Sequence, residues 1–231
     1  MLSKRVPVAL TGASIELASV GYPNMALALA RASVRMAIER LGEQHPDTIL
    51  AMTNLGTSLR LREQLDESRE WGRRAISTSE RVLGPDHEFT ILCVHNHASR
   101  LLGSEKWDEA EPHVMRAMKY RQRNPSTQKS EMARYILVSL GELRRGQGRW
   151  EEAKEIYEKC FHEWLEQVGM DDPTAMTIVI HLTRAQVHLR DYETAHRLLV
   201  ENENRARKAF GQLQKASLAT YLARDGLCRL Q

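Results

Sequence analysis

Apolar residues recur at intervals of three and four along most of the chain, which is the spacing of one face of an α-helix. The segments TILAMTNLGTSLRLR, TILCVHNHASRLL and AMTIVIHLTRAQVHL show this spacing most clearly. Each such segment is followed by a short polar break, such as REQ or GSEK, and then by a second amphipathic segment. No segment alternates with a period of two, so the pattern predicts pairs of antiparallel helices and no convincing β-strand.

The helix pairs repeat along the chain. Small residues mark one position of the second helix at spacings of 42, 42, 43 and 42, namely Ala26, Ser68, Ala110, Ala153 and Ala195. Glycines follow the same period at the corners between pairs, namely Gly42, Gly84, Gly169 and Gly211. One helix pair cannot bury its own apolar face, whereas stacked pairs can. The sequence therefore predicts an all-α solenoid of about five helix pairs.

The repeat also predicts how the chain is divided. We expect a single domain over residues 1–231, with units of approximately 1–42, 43–84, 85–126, 127–169 and 170–211 and a C-terminal capping helix over 212–231. At each corner, glycine is expected to end the preceding helix. An aspartate is expected to cap the next one, namely Asp47, Asp86 or Asp172.

Three motifs resemble the tetratricopeptide repeat (TPR). They are LG at residues 55–56 and 140–141 in first helices, and A-x-x-x-Y at residues 153–157 in a second helix. The period of 42 and the corner LGEQHPDT, followed by TNLG, are similar to the longer repeats of kinesin light chains. Similar arrays form the C-terminal part of NACHT and NB-ARC signalling ATPases. The resemblance implies a right-handed superhelix that serves in protein interaction.

The resemblance also implies individual roles. Asn54 and Asn96 stand where kinesin light chains and related arrays place asparagines that hold a peptide backbone. The chain departs from the pattern at Ser68 and Gly72, which replace the usual alanine and aromatic residue, and at Pro23, which replaces the aromatic of the first unit.

Composition places the chain among ordinary globular proteins. Of 231 residues, 42% are apolar and 27% charged, and the net charge is +3, which calls for neither nucleic acid nor an anionic membrane. No apolar run is long enough to span a bilayer, and Glu16 interrupts the N-terminal apolar stretch, so we expect no cleaved targeting peptide. Three cysteines without a CxxC motif indicate a reducing, cytoplasmic setting.

Catalytic and metal-binding motifs are missing. The sequence has no G-x-G-x-x-G, G-x-x-x-x-G-K-[ST], G-x-S-x-G or H-E-x-x-H. His95 and His97 point about 200° apart on a helix and cannot face one ion. We therefore expect no enzyme activity, no cofactor and no metal site.

Arginine is concentrated in the first helices. Their four clearest segments carry eight arginines and one acidic residue, Glu142, whereas the second helices have no positive excess. First helices line the concave face of such superhelices, and the arginine fork suits carboxylates and phosphates. Besides Glu142, the predicted inward residues are Thr53, Asn54, Thr57, Arg60, His95, Asn96, Ser99, Ser139, Arg145, His181, Arg184 and His188. The alternative is that these are solvated polar residues without a ligand.

Three functions follow from these observations. The favoured one is a scaffold or adaptor that binds an extended, acidic peptide on the arginine-bearing concave face, with no membrane partner. The second is the sensor or regulatory tail of a NACHT or NB-ARC type signalling ATPase. The third, less favoured, is nucleic-acid binding through the arginine face, which predicts affinity that falls steeply with salt. The sequence does not indicate an oligomeric state.

Overall fold

The computed structural model describes residues 2–127, 130–168 and 173–210, and this part of the chain contains ten α-helices and no β-strand. The helices are α1 (Leu2–Ser19), α2 (Pro23–Leu41), α3 (Pro46–Leu61), α4 (Leu65–Leu83), α5 (Glu88–Leu102), α6 (Trp107–Arg123), α7 (Glu131–Gly146), α8 (Trp150–Gln167), α9 (Pro173–His188) and α10 (Tyr192–Phe210). The predicted all-α fold of stacked helix pairs is confirmed. The predicted capping helix over residues 212–231 lies outside the described residues.

The chain divides into two compact units. The first, Met1–Asn124, contains α1 to α6, and the second, Pro125–Gln231, contains α7 to α10. Consecutive helices pack against each other within each unit. The single continuous domain expected from the sequence stays a prediction.

Two corners of the first unit are built in the same way. Gly42 and Gly84 end α2 and α4 with φ angles of 85° and 93°, a left-handed conformation that glycine adopts without steric cost. The hydroxyl groups of Thr48 and Thr90 donate to the carbonyl oxygens of these glycines at 2.8 and 2.9 Å. The repeated Leu-Gly to Thr segment therefore closes a turn that the architecture requires at each step.

The residues that cap the next helices differ from the prediction. His45 and His87 are the N-caps of α3 and α5, and each Nδ1 accepts a hydrogen bond from the amide two residues on. The prediction that Asp47 and Asp86 cap these helices is wrong. Asp47 lies inside the first turn and Asp86 lies before the N-cap, so the histidine imidazole accepts from the free amide instead. Asp47 lies in the first turn of α3, where its charge favours the helix dipole. Asp172 lies outside the described residues.

The core of the first unit is built from small and branched side chains. Ala26, Ala30 and Ala37 of α2 are completely buried, which lets neighbouring helices approach closely. Larger side chains of α3 fill the centre, namely Ile49, Met52, Leu55 and Leu59. Trp71 of α4 packs against this cluster.

The core of the second unit contains a large aromatic side chain packed beside a glycine. Tyr157 of α8 is completely buried beside Gly141 of α7. A Cβ added to Gly141 would lie 2.4 Å from Cε1 of Tyr157, a distance that real Cβ atoms do not adopt. Glycine at this position therefore makes room for the ring.

Glu142 joins three helices of the second unit. Its Oε1 accepts a hydrogen bond from the hydroxyl of Tyr157 and lies 2.9 Å from Nδ1 of His181, while Arg145 donates to Oε2 at 2.9 Å. Burial alone would raise the pKa of Glu142, but its contacts with His181 and Arg145 outweigh burial and hold that pKa well below its usual range. The carboxylate therefore stays ionised inside the unit.

Replacing Gly141 by alanine is expected to lower the free energy of unfolding by about 1–3 kcal/mol, because Tyr157 has no free space into which to move. Gly12→Ala in α1 is the matched control, since nothing lies within 4 Å of its added Cβ. Stability there should stay unchanged or rise by up to about 1 kcal/mol. Urea unfolding followed by circular dichroism measures both, and equal effects of the two substitutions would contradict the packing argument.

The Glu142→Gln variant should be less stable than the wild type by about 1–3 kcal/mol at neutral pH, because Arg145 and His181 lose their carboxylate. The folded state lowers the pKa of Glu142 below its unfolded value of about 4.3. The ionised side chain therefore stabilises the fold fully above that unfolded value, and this stabilisation is lost as the pH falls below about 4.3 toward the folded pKa. The difference between the two proteins should therefore shrink on acidification. Urea unfolding at several pH values tests this, with exposed Glu155→Gln as the control. A constant difference between wild type and Glu142→Gln at all pH values would refute it.

Candidate functional site

The first helices of the first unit contact one another in succession, in the order α1, α3 and α5. This places the predicted binding residues of α3 and α5 on neighbouring helices, at equivalent positions of consecutive repeats. We call these seven residues the first-helix face: Thr53, Asn54, Thr57, Arg60, His95, Asn96 and Ser99.

Two members of the face are used in packing. Thr53 is buried, donates its hydroxyl to the carbonyl of Ile49 at 3.0 Å, and lies 3.8 Å from Sγ of Cys93 on α5. His95 is also buried, and its Nε2 lies 3.4 Å from the hydroxyl oxygen of Ser99. Thr53 therefore packs between α3 and α5, and neither side chain faces open solvent.

Three other members are partly open to solvent. Thr57, Arg60 and Asn96 are half-buried. The hydroxyl of Thr57 bonds weakly to the carbonyl of Thr53 at 3.4 Å. The guanidinium of Arg60 lies against Gly103, and its Nη1 would be 3.3 Å from a Cβ there. No described residue forms an ion pair with Arg60, so its charge is available to a ligand.

Asn54 is the least satisfied member of the face. It is 9% exposed, and its Nδ2 is buried without a hydrogen-bond partner in the described part of the chain. An unpaired buried amide costs about 1–3 kcal/mol. Rotation of the side-chain amide by half a turn exchanges the positions of its oxygen and nitrogen. The nitrogen can then donate a hydrogen bond to the carbonyl oxygen of a ligand.

The predicted residues of the second unit are more closely tied to their own neighbours. Arg145 and His181 both contact Glu142, and His181 also stacks on Tyr157 with ring centroids 5.3 Å apart. The charge of Arg145 is therefore matched within the protein.

The remaining predicted residues of this unit differ in their exposure to solvent. Ser139 is buried, and Arg184 is half-buried. His188 is exposed and stacks on Trp150 with ring centroids 3.9 Å apart.

Several arginines of the first helices already have partners within the protein. Arg134 donates to the Gln167 side chain at 3.0 Å and lies over the ring of Trp164. Arg144 donates to the Gln147 side chain at 2.7 Å, and its Nε lies 3.5 Å from a carboxylate oxygen of Glu152. Both guanidinium groups are thus held by side chains of the protein, and that of Arg144 also lies near a carboxylate.

Arg100 is one of the eight first-helix arginines, and it is buried between helices. It is 5% exposed and lies beside Gly56 and Gly72, together with His97. The sequence signal for this placement was Gly72, where the repeat usually has an aromatic residue. A missing ring leaves space that another side chain must fill.

The described residues also limit the chemistry. Among them, no group of three or more His, Cys, Asp or Glu side chains could hold a metal ion. Cys93 and Cys160 are free thiols and both are buried. None of the helices in the described part of the chain combines the length and apolar character that crossing a membrane requires.

Sequence comparison supports the repeat assignment. Residues 48–88 match the profile of the tetratricopeptide repeat family. Over 170 residues, 74% of the chain, the sequence is 22% identical to a clustered mitochondria protein homolog of Candida albicans. The chain spans only 12% of the length of that relative.

Solved structures share the fold. A protein of Podosopora anserina with nearly identical TPR-like repeats of the kinesin light chain kind superposes with a TM-score of 0.70 at 15% identity, over 90% of this chain and 97% of that one. A Rap protein complexed with competence and sporulation factor gives a TM-score of 0.74 at 12% identity, over 94% of this chain and 56% of that one. The described part of the chain therefore shares the helix-pair fold of these TPR-like structures.

Proposed function

We propose that this chain is a non-enzymatic scaffold that binds an extended, acidic peptide on the first-helix face of its first unit. The TPR fold is that of protein-interaction scaffolds, which supports the general class of function. The observation that carries the specific proposal is the unpaired amide nitrogen of Asn54. A peptide carbonyl is the acceptor that this donor lacks.

The repeat supplies a second amide at the matching place. Asn96 stands 42 residues after Asn54, on the neighbouring helix α5, and is half-buried. An extended peptide presents one carbonyl and one amide per residue, and side-chain amides can bond both. Two asparagines on adjacent helices therefore favour a ligand that lies across the helices with its backbone against them.

The charge of the face favours acidic residues in that peptide. Arg60 has no ion-pair partner among the described residues and lies on the same helix as Asn54. A carboxylate of the ligand would gain a charge-assisted, bidentate contact there. In the second unit, by contrast, Arg145 already pairs with Glu142, so a ligand carboxylate would have to displace an internal one.

Replacement of Asn54 by alanine should weaken binding of a selected peptide by about 5- to 20-fold, the loss of one hydrogen bond. Peptides are first selected from a library of random extended sequences, and affinity is then measured by fluorescence anisotropy. Thermal stability should not fall, because the Nδ2 of Asn54 makes no bond within the described residues. A variant that binds like the wild type, or that loses binding only because it unfolds, would remove the main support for this site.

Reversal of charge at Arg60 should weaken binding of an acidic peptide by about tenfold or more and reduce the salt dependence of binding. Arg73→Glu is the matched control, since Arg73 lies on the second helix α4 with its side chain 68% exposed. Equal losses for Arg60→Glu and Arg73→Glu would indicate a general charge effect. Selection of basic peptides would contradict an acidic ligand, and retention on heparin that is lost steeply with salt would favour nucleic acid.

A further inference from the structure

The space left by the missing aromatic residue of the second repeat is filled by two basic side chains. In the second unit, the ring of Tyr157 lies against Gly141. In the first unit, Gly72 stands at the position of Tyr157 and Gly56 at that of Gly141, so the tyrosine ring is missing. Arg100 and His97 of α5 enter instead.

Two unpaired nitrogen atoms converge at this place. A Cβ added to Gly72 would lie 2.1 Å from Nδ1 of His97 and 2.6 Å from Nη2 of Arg100. Both nitrogens are buried, and neither has a hydrogen-bond partner in the described part of the chain. They are close enough to each other for a single small ligand to contact both.

Arg100 carries a charge that the surrounding protein does not balance. Its Nη1 donates to the carbonyl of Thr53 at 3.3 Å, but Nε and Nη2 find no acceptor among the described residues. Burial, with the nearby charge of Arg60, lowers the pKa of Arg100 to about 10, so the guanidinium is still protonated at neutral pH. A buried charge without a counter-charge is strongly unfavourable.

His97 is neutral beside it. Burial and the charge of Arg100 lower the pKa of His97 to about 3. A neutral imidazole carries one N–H, and the tautomer with the proton on Nδ1 can donate toward the space that Arg100 also faces.

A small cavity opens at these side chains. Its volume is about 10 Å³, which is room for one water-sized particle. The lining is free of carboxylates and consists of Leu65, Ser68, Arg69, His97, Arg100, Leu101, Ser104 and Lys106. The hydroxyls of Ser68 and Ser104 already donate to the carbonyls of Gly56 and Arg100, at 2.6 and 3.0 Å. Arg69 already pairs with Asp66 and Glu109, so the cavity is small and owes its positive character to Arg100 and Lys106.

We infer that this cavity binds a monatomic anion of chloride size, held by Arg100 and His97. A water molecule would satisfy hydrogen bonds but would not balance the buried guanidinium, whereas a halide does both. A cavity of this volume is too small to enclose sulfate or phosphate. The site differs from the proposed peptide site, which uses Asn54 and Arg60 of the first-helix face.

Direct binding is tested by chlorine NMR on the full chain. Wild-type protein should broaden the chloride line, and bromide should reverse the broadening by competition, whereas gluconate at equal ionic strength should not. In crystals grown with bromide, an anomalous peak should lie within hydrogen-bond distance of Nη2 of Arg100. No excess line width and no bromide peak would mean that water fills the cavity and would overturn the proposal.

Variants assign the binding to these side chains. Halide should raise the Tm of the wild type by about 3 °C. Arg100→Met keeps an apolar side chain and removes the charge, so it should abolish both this rise in Tm and the line broadening. Arg81→Met, at an exposed position of α4, is the control and should respond like the wild type. Should Arg100→Met fail to fold, His97→Leu keeps the charge and should weaken halide binding at least fivefold. Unchanged halide binding in both cavity variants would refute the assignment.

Discussion

Close approach of helices at positions with small side chains is the constraint on which this structure depends. A helix pair has too little apolar surface of its own to be stable, so each pair must pack against the next. Ala26, Ala110, Ala153 and Ala195 are all completely buried at the same repeat position. A side chain much larger than alanine or serine there would separate the helices and uncover the apolar residues between them.

The same constraint explains why one substitution in the repeat changes its surroundings. Where the repeat has Tyr157, the ring occupies the space above Gly141 and its hydroxyl reaches Glu142. Where it has Gly72, close packing still requires that the space be filled, and Arg100 with His97 provide the atoms. The volume is filled in both repeats. In the second repeat, however, the charged guanidinium of Arg100 stands where the later repeat has the ring of Tyr157, and that charge needs a counter-charge.

Electrostatic balance differs between the two units for a related reason. In the second unit, Glu142 lies between Arg145, Tyr157 and His181, so that donors and acceptor are matched within the protein. In the first unit, neither Arg60 nor Arg100 pairs with a carboxylate of the described residues. Within the described residues, Arg60 and Arg100 therefore lack the internal counter-charge that Arg145 has.

The sequence by itself determined the helices, their pairing and the corners, because the spacing of apolar residues and the recurrence of glycine and alanine are local properties. It also located Asn54 and Asn96 at matching positions of two repeats. Only the tertiary structure decided that Arg100 is buried, since the space beside Gly72 that it fills belongs to another helix. The pairing of Arg145 with Glu142 is a local property, because the two residues lie one turn apart on the same helix. The capping role of His45 and His87 was likewise missed, because the sequence does not show which polar residue of the corner takes the N-cap position.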